Sequence, residues 1–180
     1  VLMSVVAVAT LMVHGANFIS MKTTGELQMS ARIISKRFNP LVILLSLVMF
    51  AATTYIRPEL WNNYFNHVWG FIFPLTGMAG LAGMFYFRSK DSDGKAFLSS
   101  AVFILGMMSG TAFGLCPTLL HSSINPAYSL TITNSSAGSY GLQVGLIWWV
   151  IGMILALGYF SYLFYTFRGK VVINEDSEGY

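Results

Sequence analysis

Three histidines are the side chains of this sequence best suited to ligate haem iron or another metal, or to carry a proton. They are His14, His67 and His121. His14 lies in the first long apolar segment with Asn17 one helical turn away, whereas His67 begins a later apolar segment and His121 lies in a polar linker. Metal and haem sites combine several ligands, and no useful spacing pairs these three. We therefore predict no catalytic residue, no cofactor-binding residue and no metal ligand in this chain.

The sequence also lacks the short motifs by which soluble enzymes bind phosphate or activate a nucleophile. It contains no glycine-rich phosphate loop, no nucleophile elbow and no metal-binding pair of cysteines, since Cys116 is the single cysteine. Ionisable residues within apolar segments, which would mark a proton pathway, are limited to His14. We expect no buried acid. The residues by themselves predict a helical bundle without a catalytic centre of its own.

The composition indicates which elements would hold these residues. The 180 residues are 55% hydrophobic and 9% charged, and the mean hydropathy is +0.64. Soluble domains contain about 25% charged residues, so this chain cannot cover itself with a polar surface. Five apolar stretches have about the 17–25 residues that a membrane-spanning helix needs. They are residues 1–19, 40–56, 68–87, 96–115 and 144–167.

We therefore predict an all-α, polytopic transmembrane bundle of about five helices that forms one domain over residues 1–180. A long outer loop covers 117–143, and 174–180 form a polar tail. The apolar residues of the outer loop predict that it docks on the bundle or on another subunit. The linker 20–38 mixes basic and apolar residues, which predicts a short helix on the membrane surface. Pro74 is expected to kink the third span.

Basic residues lie almost entirely on one side of this predicted bundle. Nine of the ten Lys and Arg residues are on that side: Lys22, Arg32, Lys36, Arg37, Arg88, Lys90, Lys95, Arg168 and Lys170. Arg57 alone lies on the other side. The positive-inside rule makes the basic side cytoplasmic, so the N-terminus is predicted outside and the C-terminus inside. The net charge of +3 then reflects membrane topology, and we expect no nucleic-acid partner.

Small residues recur every three or four positions in the third and fourth spans. Gly106, Gly110 and Gly114 are four apart, and Gly77 and Gly80 are three apart. Such spacing lets helix backbones approach closely in a membrane. We interpret these glycines as helix-packing positions within the bundle. The alternative is a groove for a lipid, a quinone or a partner helix.

Three segments of the chain resemble subunit II of the cytochrome bd quinol oxidase family. The first joins the end of the first span to a basic turn, the second is the SSINPAYSLTITNSS stretch of the outer loop, and the third is the last span with its LIWW and FRGKV elements. The residues that carry the resemblance are His14, Gly15, Lys22, Thr23, Gly25, Arg32, Ser129, Leu130, Thr131, Asn134, Trp148, Trp149, Arg168, Gly169 and Lys170.

The resemblance implies a multi-pass protein of the bacterial cytoplasmic membrane that works in aerobic respiration. In this family a heterodimer oxidises quinol and reduces oxygen to water by four electrons. Subunit I is expected to hold haem b, haem d and the quinol site, and this chain would support it without haem of its own. A structural quinone against these helices is also compatible with the resemblance.

The family's subunit II is longer than this chain and opens with a further bundle of spans that bear acidic residues. We therefore expect the sequence to be the C-terminal half of such a subunit, either as a fragment or as a split subunit. Two other classes remain open. A fragment of a secondary transporter would use a broken helix near the bilayer midplane, for which Pro74 with Thr76 is the only hint. A structural membrane assembly or lipid-binding protein would have no link to respiration.

Overall fold

The computed structural model describes residues 1–171, and the structural statements below concern that part of the chain. It contains six α-helices: α1 Leu2–Lys22, α2 Gly25–Ile56, α3 Leu60–Asn66, α4 Ile72–Ser89, α5 Asp93–Leu115 and α6 Ser139–Thr166. A 3-10 helix, Val68–Phe71, leads into α4, and another covers Pro126–Tyr128. Two short strands, β1 Thr118–Leu120 and β2 Leu130–Thr131, lie between α5 and α6.

Five helical segments are long and apolar enough to cross a membrane, which confirms the all-α prediction. They are Leu2–Lys22, Gly25–Ile56, Val68–Ser89, Asp93–Leu115 and Ser139–Thr166. The chain divides into two compact units, which are described separately. The first contains Val1–Gly114 together with the described residues Lys170 and Val171, and the second contains Leu115–Gly169. The predicted polar tail 174–180 lies outside the described residues.

Helix α2 differs from the prediction of a span at 40–56 preceded by a separate surface helix. It runs unbroken for 32 residues, with Pro40 inside it. Proline removes one backbone donor from a helix, but polar side chains of this half of α2 find partners inside the unit: Ser35 bonds Asn17, and Asn39 bonds the carbonyl of Met84. Hydropathy does not predict the continuous helix because these polar residues contact other helices of the protein rather than lipid or water. At 1.5 Å per residue α2 is about 48 Å long, more than the roughly 30 Å hydrocarbon core.

Pro74, which is expected to kink the third span, lies close to the junction between the 3-10 helix and α4. The 3-10 helix ends at Phe71 and α4 begins at Ile72, so Pro74 occupies the first turn of α4. Helices tolerate proline there because the first backbone N–H groups have no partner inside the helix.

The interior of the first unit is small and unusually polar. Its hydrophobic cluster comprises Ala9, Val13, Val42, Met84 and Phe103. Many other buried residues are polar: Asn17, Ser20, Ser35, Asn39, Ser46, Arg88, Asp93, Ser99 and Ser100. In lipid, apolar surface gains little by turning inward, so helices associate through close packing and hydrogen bonds. The first unit follows this rule.

Aromatic side chains fill the end of the first unit where α3 joins α2 to α4. The ring of Phe113 lies 5.0 Å from that of Tyr64 and 4.9 Å from that of Trp69, measured between centroids. Trp61 contacts Tyr64 at 5.6 Å. Rings of this kind are enriched at membrane–water boundaries, so this end of the unit is suited to one headgroup layer.

The second unit consists of a small hairpin followed by one long helix. Strands β1 and β2 pair antiparallel, with Thr118 opposite Thr131 and Leu120 opposite Leu130. Helix α6 has 28 residues and none of them is buried. The long linker is therefore folded rather than extended, while its docking on a bundle or on another subunit stays a prediction.

Candidate functional site

Asp93 is the centre of a buried charged cluster, called here the Asp93 cluster and formed by Asp93, Arg32, Arg88, Gln28 and Ser20. Arg32 Nε and Arg88 Nη1 each donate to Asp93 Oδ1 at 2.9 Å, and Gln28 Nε2 donates to Oδ2 at 2.9 Å. Arg32 Nη2 also donates to Oδ2. Arg88 and Asp93 are 1% and 8% exposed, so two guanidinium groups neutralise a carboxylate that water barely reaches.

Local structure positions each member of the cluster. Asp93 is the first residue of α5, where a carboxylate also faces the positive end of the helix dipole. Arg88 lies in the last turn of α4. Between them Asp91 adopts a positive φ of 52°, and Ser92 N–H donates to Phe87 O at 3.0 Å. This tight turn brings Arg88 and Asp93 together although they are five positions apart in the sequence.

Hydrogen bonds extend from the cluster into the interior. Arg88 Nη2 donates to Ser20 Oγ at 3.2 Å, and Ser20 Oγ donates to Asn17 O at 2.9 Å. Ser35 Oγ then donates to Asn17 Oδ1 at 2.7 Å. Together with the Asp93 cluster, this series of hydrogen bonds links α1, α2, α4 and α5 through buried polar groups. Its hydrogen bonds join side chains from different helices, which suits a structural role.

The expectation of no buried acid is wrong for Asp93. Hydropathy placed Asp93 at the edge of a span. Its burial depends on Arg32, which is distant in the sequence, and on Arg88, which lies across the turn between α4 and α5. Burying an isolated carboxylate is very costly, but paired guanidinium groups offset that cost. The sequence signal was the dense charge between Arg88 and Lys95, which gave no indication that Arg32 approaches it.

His14 has a different partner from the one expected. Its Nδ1 lies 2.7 Å from Ser100 Oγ, and its ring stacks on Phe97 at a centroid distance of 4.8 Å. Ser100 Oγ donates to Phe97 O at 2.6 Å, so the hydrogen between His14 and Ser100 belongs to Nδ1. Asn17, the neighbour expected from the sequence, bonds Ser35 instead.

The side chains that could ligate a metal are scattered over the described part of the chain. Among the described residues, no group of three or more His, Cys, Asp or Glu side chains could hold a metal. His14 has Nδ1 engaged by Ser100, and the carboxylate oxygens of Asp93 are occupied by Arg32, Arg88 and Gln28.

The glycines singled out in the sequence lie where backbones and rings approach closely. A Cβ on Gly106 would overlap the backbone of Gly77, and a Cβ on Gly80 would overlap the backbone of Phe103. At Gly110 and Gly114 the neighbour is the Tyr64 ring, whose hydroxyl donates to Gly110 O at 2.5 Å. Helices α4 and α5 are thus in backbone contact.

Comparison with known proteins assigns these features to a family. The family model of the cytochrome bd terminal oxidase subunit II matches residues 1–167. The chain belongs to this family. It is a multi-pass membrane protein, as the sequence predicted, and the match includes both the Asp93 cluster and the β1–β2 hairpin.

Two curated relatives of this subunit II chain share about a quarter of its residues. "Probable cytochrome oxidase subunit 2" of Haemophilus influenzae is 26% identical over an alignment 201 residues long, which covers 96% of this chain and 52% of that protein. "Cytochrome bd ubiquinol oxidase subunit 2" of Bacillus subtilis is 27% identical over 164 residues, or 90% of this chain and 47% of that protein. The chain spans about half the length of both relatives.

The first group of family-motif residues forms the turn between α1 and α2. Thr23 caps α1, with its Oγ1 donating to Ile19 O at 2.7 Å. Gly25 opens α2 at φ +70°, a conformation that strains other residues. Lys22 O accepts the backbone N–H of Val171 at 2.7 Å. Within this group Arg32 joins the Asp93 cluster and His14 joins Ser100, while Gly15 has open space around it.

The second group of family-motif residues stabilises the β1–β2 hairpin. Asn134 Oδ1 accepts the backbone N–H of Thr131 at 2.7 Å, and its Nδ2 donates to Ser129 O at 2.9 Å. Ser129 Oγ accepts from Ser122 N–H at 3.1 Å. The motif thus encodes a turn, with Leu130 and Thr131 forming β2.

The third group lies on α6 and just beyond it. Trp148 and Trp149 are 68% and 62% exposed. The guanidinium of Arg168 lies 4.5 Å from the Tyr165 ring centroid, and Gly169 follows with φ +109°. These residues, with Lys170, are well apart from the Asp93 cluster in sequence.

Proposed function

We propose that this chain is part of the non-haem subunit of a bd-type quinol oxidase in a bacterial cytoplasmic membrane. The family match over residues 1–167 is the observation that carries the proposal. The complete oxidase would oxidise two quinols to quinones and reduce one oxygen molecule to two waters. A partner subunit I would hold haem b and haem d, which supply the electron transfer and oxygen chemistry, and would bind the quinol.

In this proposal the chain's own residues hold a helix bundle in shape and present apolar helix faces. The Asp93 cluster ties α1, α2, α4 and α5 together at one end. Close backbone contact between Gly77 and Gly106 ties α4 to α5 farther along. A rigid bundle with an apolar exterior suits a subunit that flanks a haem protein in lipid. A structural quinone would lie on that apolar exterior.

We also propose that the Asp93 cluster faces the cytoplasm. Nine of the ten basic residues lie on the cluster's side according to the sequence, and Arg57 lies near the aromatic end. The positive-inside rule then places the N-terminus of α1 outside. Cysteine labelling in spheroplasts tests this orientation. Cys116 is an exposed free thiol, so the test uses a Cys116→Ser background. There Asn62→Cys should react with an impermeant maleimide from outside, whereas Lys90→Cys should react only after the membrane is opened.

Deleting the gene that encodes the chain tests the oxidase role. We expect loss of oxygen uptake with ubiquinol or menaquinol and loss of the reduced-haem spectrum of the partner, both restored by the gene on a plasmid. Unchanged quinol oxidase activity and haem content would contradict the proposal. Loss of substrate uptake in the deletion strain, with respiration unchanged, would instead favour the transporter alternative. A deletion strain in which neither respiration nor substrate uptake changes would favour a structural assembly protein.

A further inference from the structure

A pocket of about 290 Å³ lies between α2 and α4, next to the Asp93 cluster. It is lined by Lys36 and Asn39 of α2 and by Phe85, Arg88 and Ser89 of α4. Lys36, Phe85 and Ser89 are exposed, whereas Asn39 and Arg88 are 3% and 1% exposed. The pocket therefore leads from the protein surface towards a buried amide and a buried guanidinium.

Both buried lining residues have a polar atom without a partner among residues 1–171. Arg88 uses Nη1 on Asp93 and Nη2 on Ser20, which leaves its Nε–H without an acceptor. Asn39 donates from Nδ2 to Met84 O, and its Oδ1 receives no hydrogen bond. Buried polar groups are normally satisfied by protein, water or a ligand. A ligand with an oxygen acceptor would satisfy Arg88 Nε–H, and a ligand hydroxyl would satisfy Asn39 Oδ1.

The charged side chains around the pocket have a net positive charge of one, which favours the binding of one anion. Three cations, Arg32, Lys36 and Arg88, face two carboxylates, Asp91 and Asp93. Lys36 Nζ lies 3.0 Å from the exposed carboxylate of Asp91, so it is held at the pocket mouth. Lys and Arg together are the usual partners of phosphate in proteins.

The pocket also lies at a suitable depth for a lipid headgroup. Arg88 and Ser89 are the last residues of α4, directly after its apolar run. Basic groups at the end of a spanning helix interact with anionic lipids of the surface layer. The ring of Phe85, one turn deeper, is 55% exposed and faces the region where acyl chains begin.

We propose that the pocket lined by Lys36, Asn39, Phe85, Arg88 and Ser89 binds a phosphate group that carries net negative charge. The source is either the headgroup of an anionic phospholipid or a free phosphate. Lys36 binds it at the mouth, the positive charge of Arg88 attracts it from the base, and a ligand hydroxyl satisfies Asn39. All five lining residues belong to α2 and α4 of this chain, so the phosphate site needs no residue of a partner subunit. The inference therefore does not depend on the oxidase function.

Native mass spectrometry of the full chain, purified with its co-purifying partners in detergent, tests this inference. The probes are phosphatidylglycerol, phosphatidylcholine and inorganic phosphate. We expect one saturable phosphatidylglycerol site. Lys36→Gln should raise its Kd about tenfold, and Arg37→Gln, which removes the same charge from the next residue outside the pocket, should change it by less than about twofold.

A second variant separates occupancy from charge. Ser89→Phe fills the pocket mouth and keeps every charge, and it should abolish the bound phosphatidylglycerol without lowering the unfolding temperature. Displacement of the lipid by millimolar inorganic phosphate would support the site and assign it to free phosphate, and resistance to displacement would assign it to the headgroup. Equal losses for Lys36→Gln and Arg37→Gln, equal binding of phosphatidylcholine, or no saturable binding would overturn the proposal.

Discussion

Asp93 and Arg32 are 61 residues apart in the chain, and Arg32 Nε donates to Asp93 Oδ1 at 2.9 Å. Arg32 belongs to α2 and Asp93 begins α5, so this pair connects the first helical hairpin to the α4–α5 hairpin. Arg88 completes the contact from the end of α4. The arrangement is an ionic contact that joins α2, α4 and α5.

Asp93→Asn should destabilise the protein by about 3 kcal/mol, because it leaves Arg88 buried without a counter-charge. Thermal unfolding of the detergent-solubilised protein measures this loss. Asp91→Asn is the matched control, since Asp91 pairs with Lys36 at the surface and is 48% exposed. Exposed pairs contribute at most about 1 kcal/mol. Equal effects of the two substitutions would show that the Asp93 cluster does not hold the helices together.

Arg32→Lys should destabilise the protein less than Arg32→Gln but more than the surface substitution Arg37→Lys. Lysine keeps the charge but cannot reproduce the two parallel bonds that Arg32 Nε and Nη2 make to Asp93. The same unfolding assay ranks the three variants. A wild-type unfolding temperature for Arg32→Lys would mean that charge alone, without the bidentate geometry, is sufficient.

Gly106→Ala should separate α4 from α5 and cost about 1–3 kcal/mol, because the new Cβ would meet the backbone of Gly77. Gly152→Ala on α6 is the control, since nothing lies within 4 Å of a Cβ there. We expect it to change stability by less than about 0.5 kcal/mol. Unfolding temperatures of the two variants check the prediction, which fails if Gly106→Ala is as stable as Gly152→Ala.

His14→Phe should leave the haem content of the purified oxidase unchanged. The substitution keeps an aromatic ring beside Phe97 and removes the hydrogen bond to Ser100. A pyridine haemochrome assay, with Ser100→Ala as a companion that breaks the same bond from the other side, measures haem per complex. Stoichiometric loss of one haem in His14→Phe alone would assign an axial-ligand role to this histidine.

The five spanning helices could be predicted from composition because lipid imposes a length and polarity requirement that appears directly in the sequence. The continuity of α2 through Pro40 could not, since hydropathy treats Ser35 and Asn39 as breaks although both face protein partners. The Asp93 cluster was missed for the same reason: its pairing with Arg32 depends on the tertiary fold. Glycine spacing indicated Gly77 and Gly106 as packing positions because a three- or four-residue spacing is a local property of each helix.

The central claim is that this chain is the subunit of an oxidase whose haems belong to a different polypeptide. Affinity purification through a tag on this chain, followed by haem quantification and separation of the subunits, tests it most directly. The account predicts a second membrane polypeptide in equal amount that retains haem b and haem d, with none on the tagged chain. A tagged chain isolated without such a partner, or one that carries stoichiometric haem itself, would contradict it.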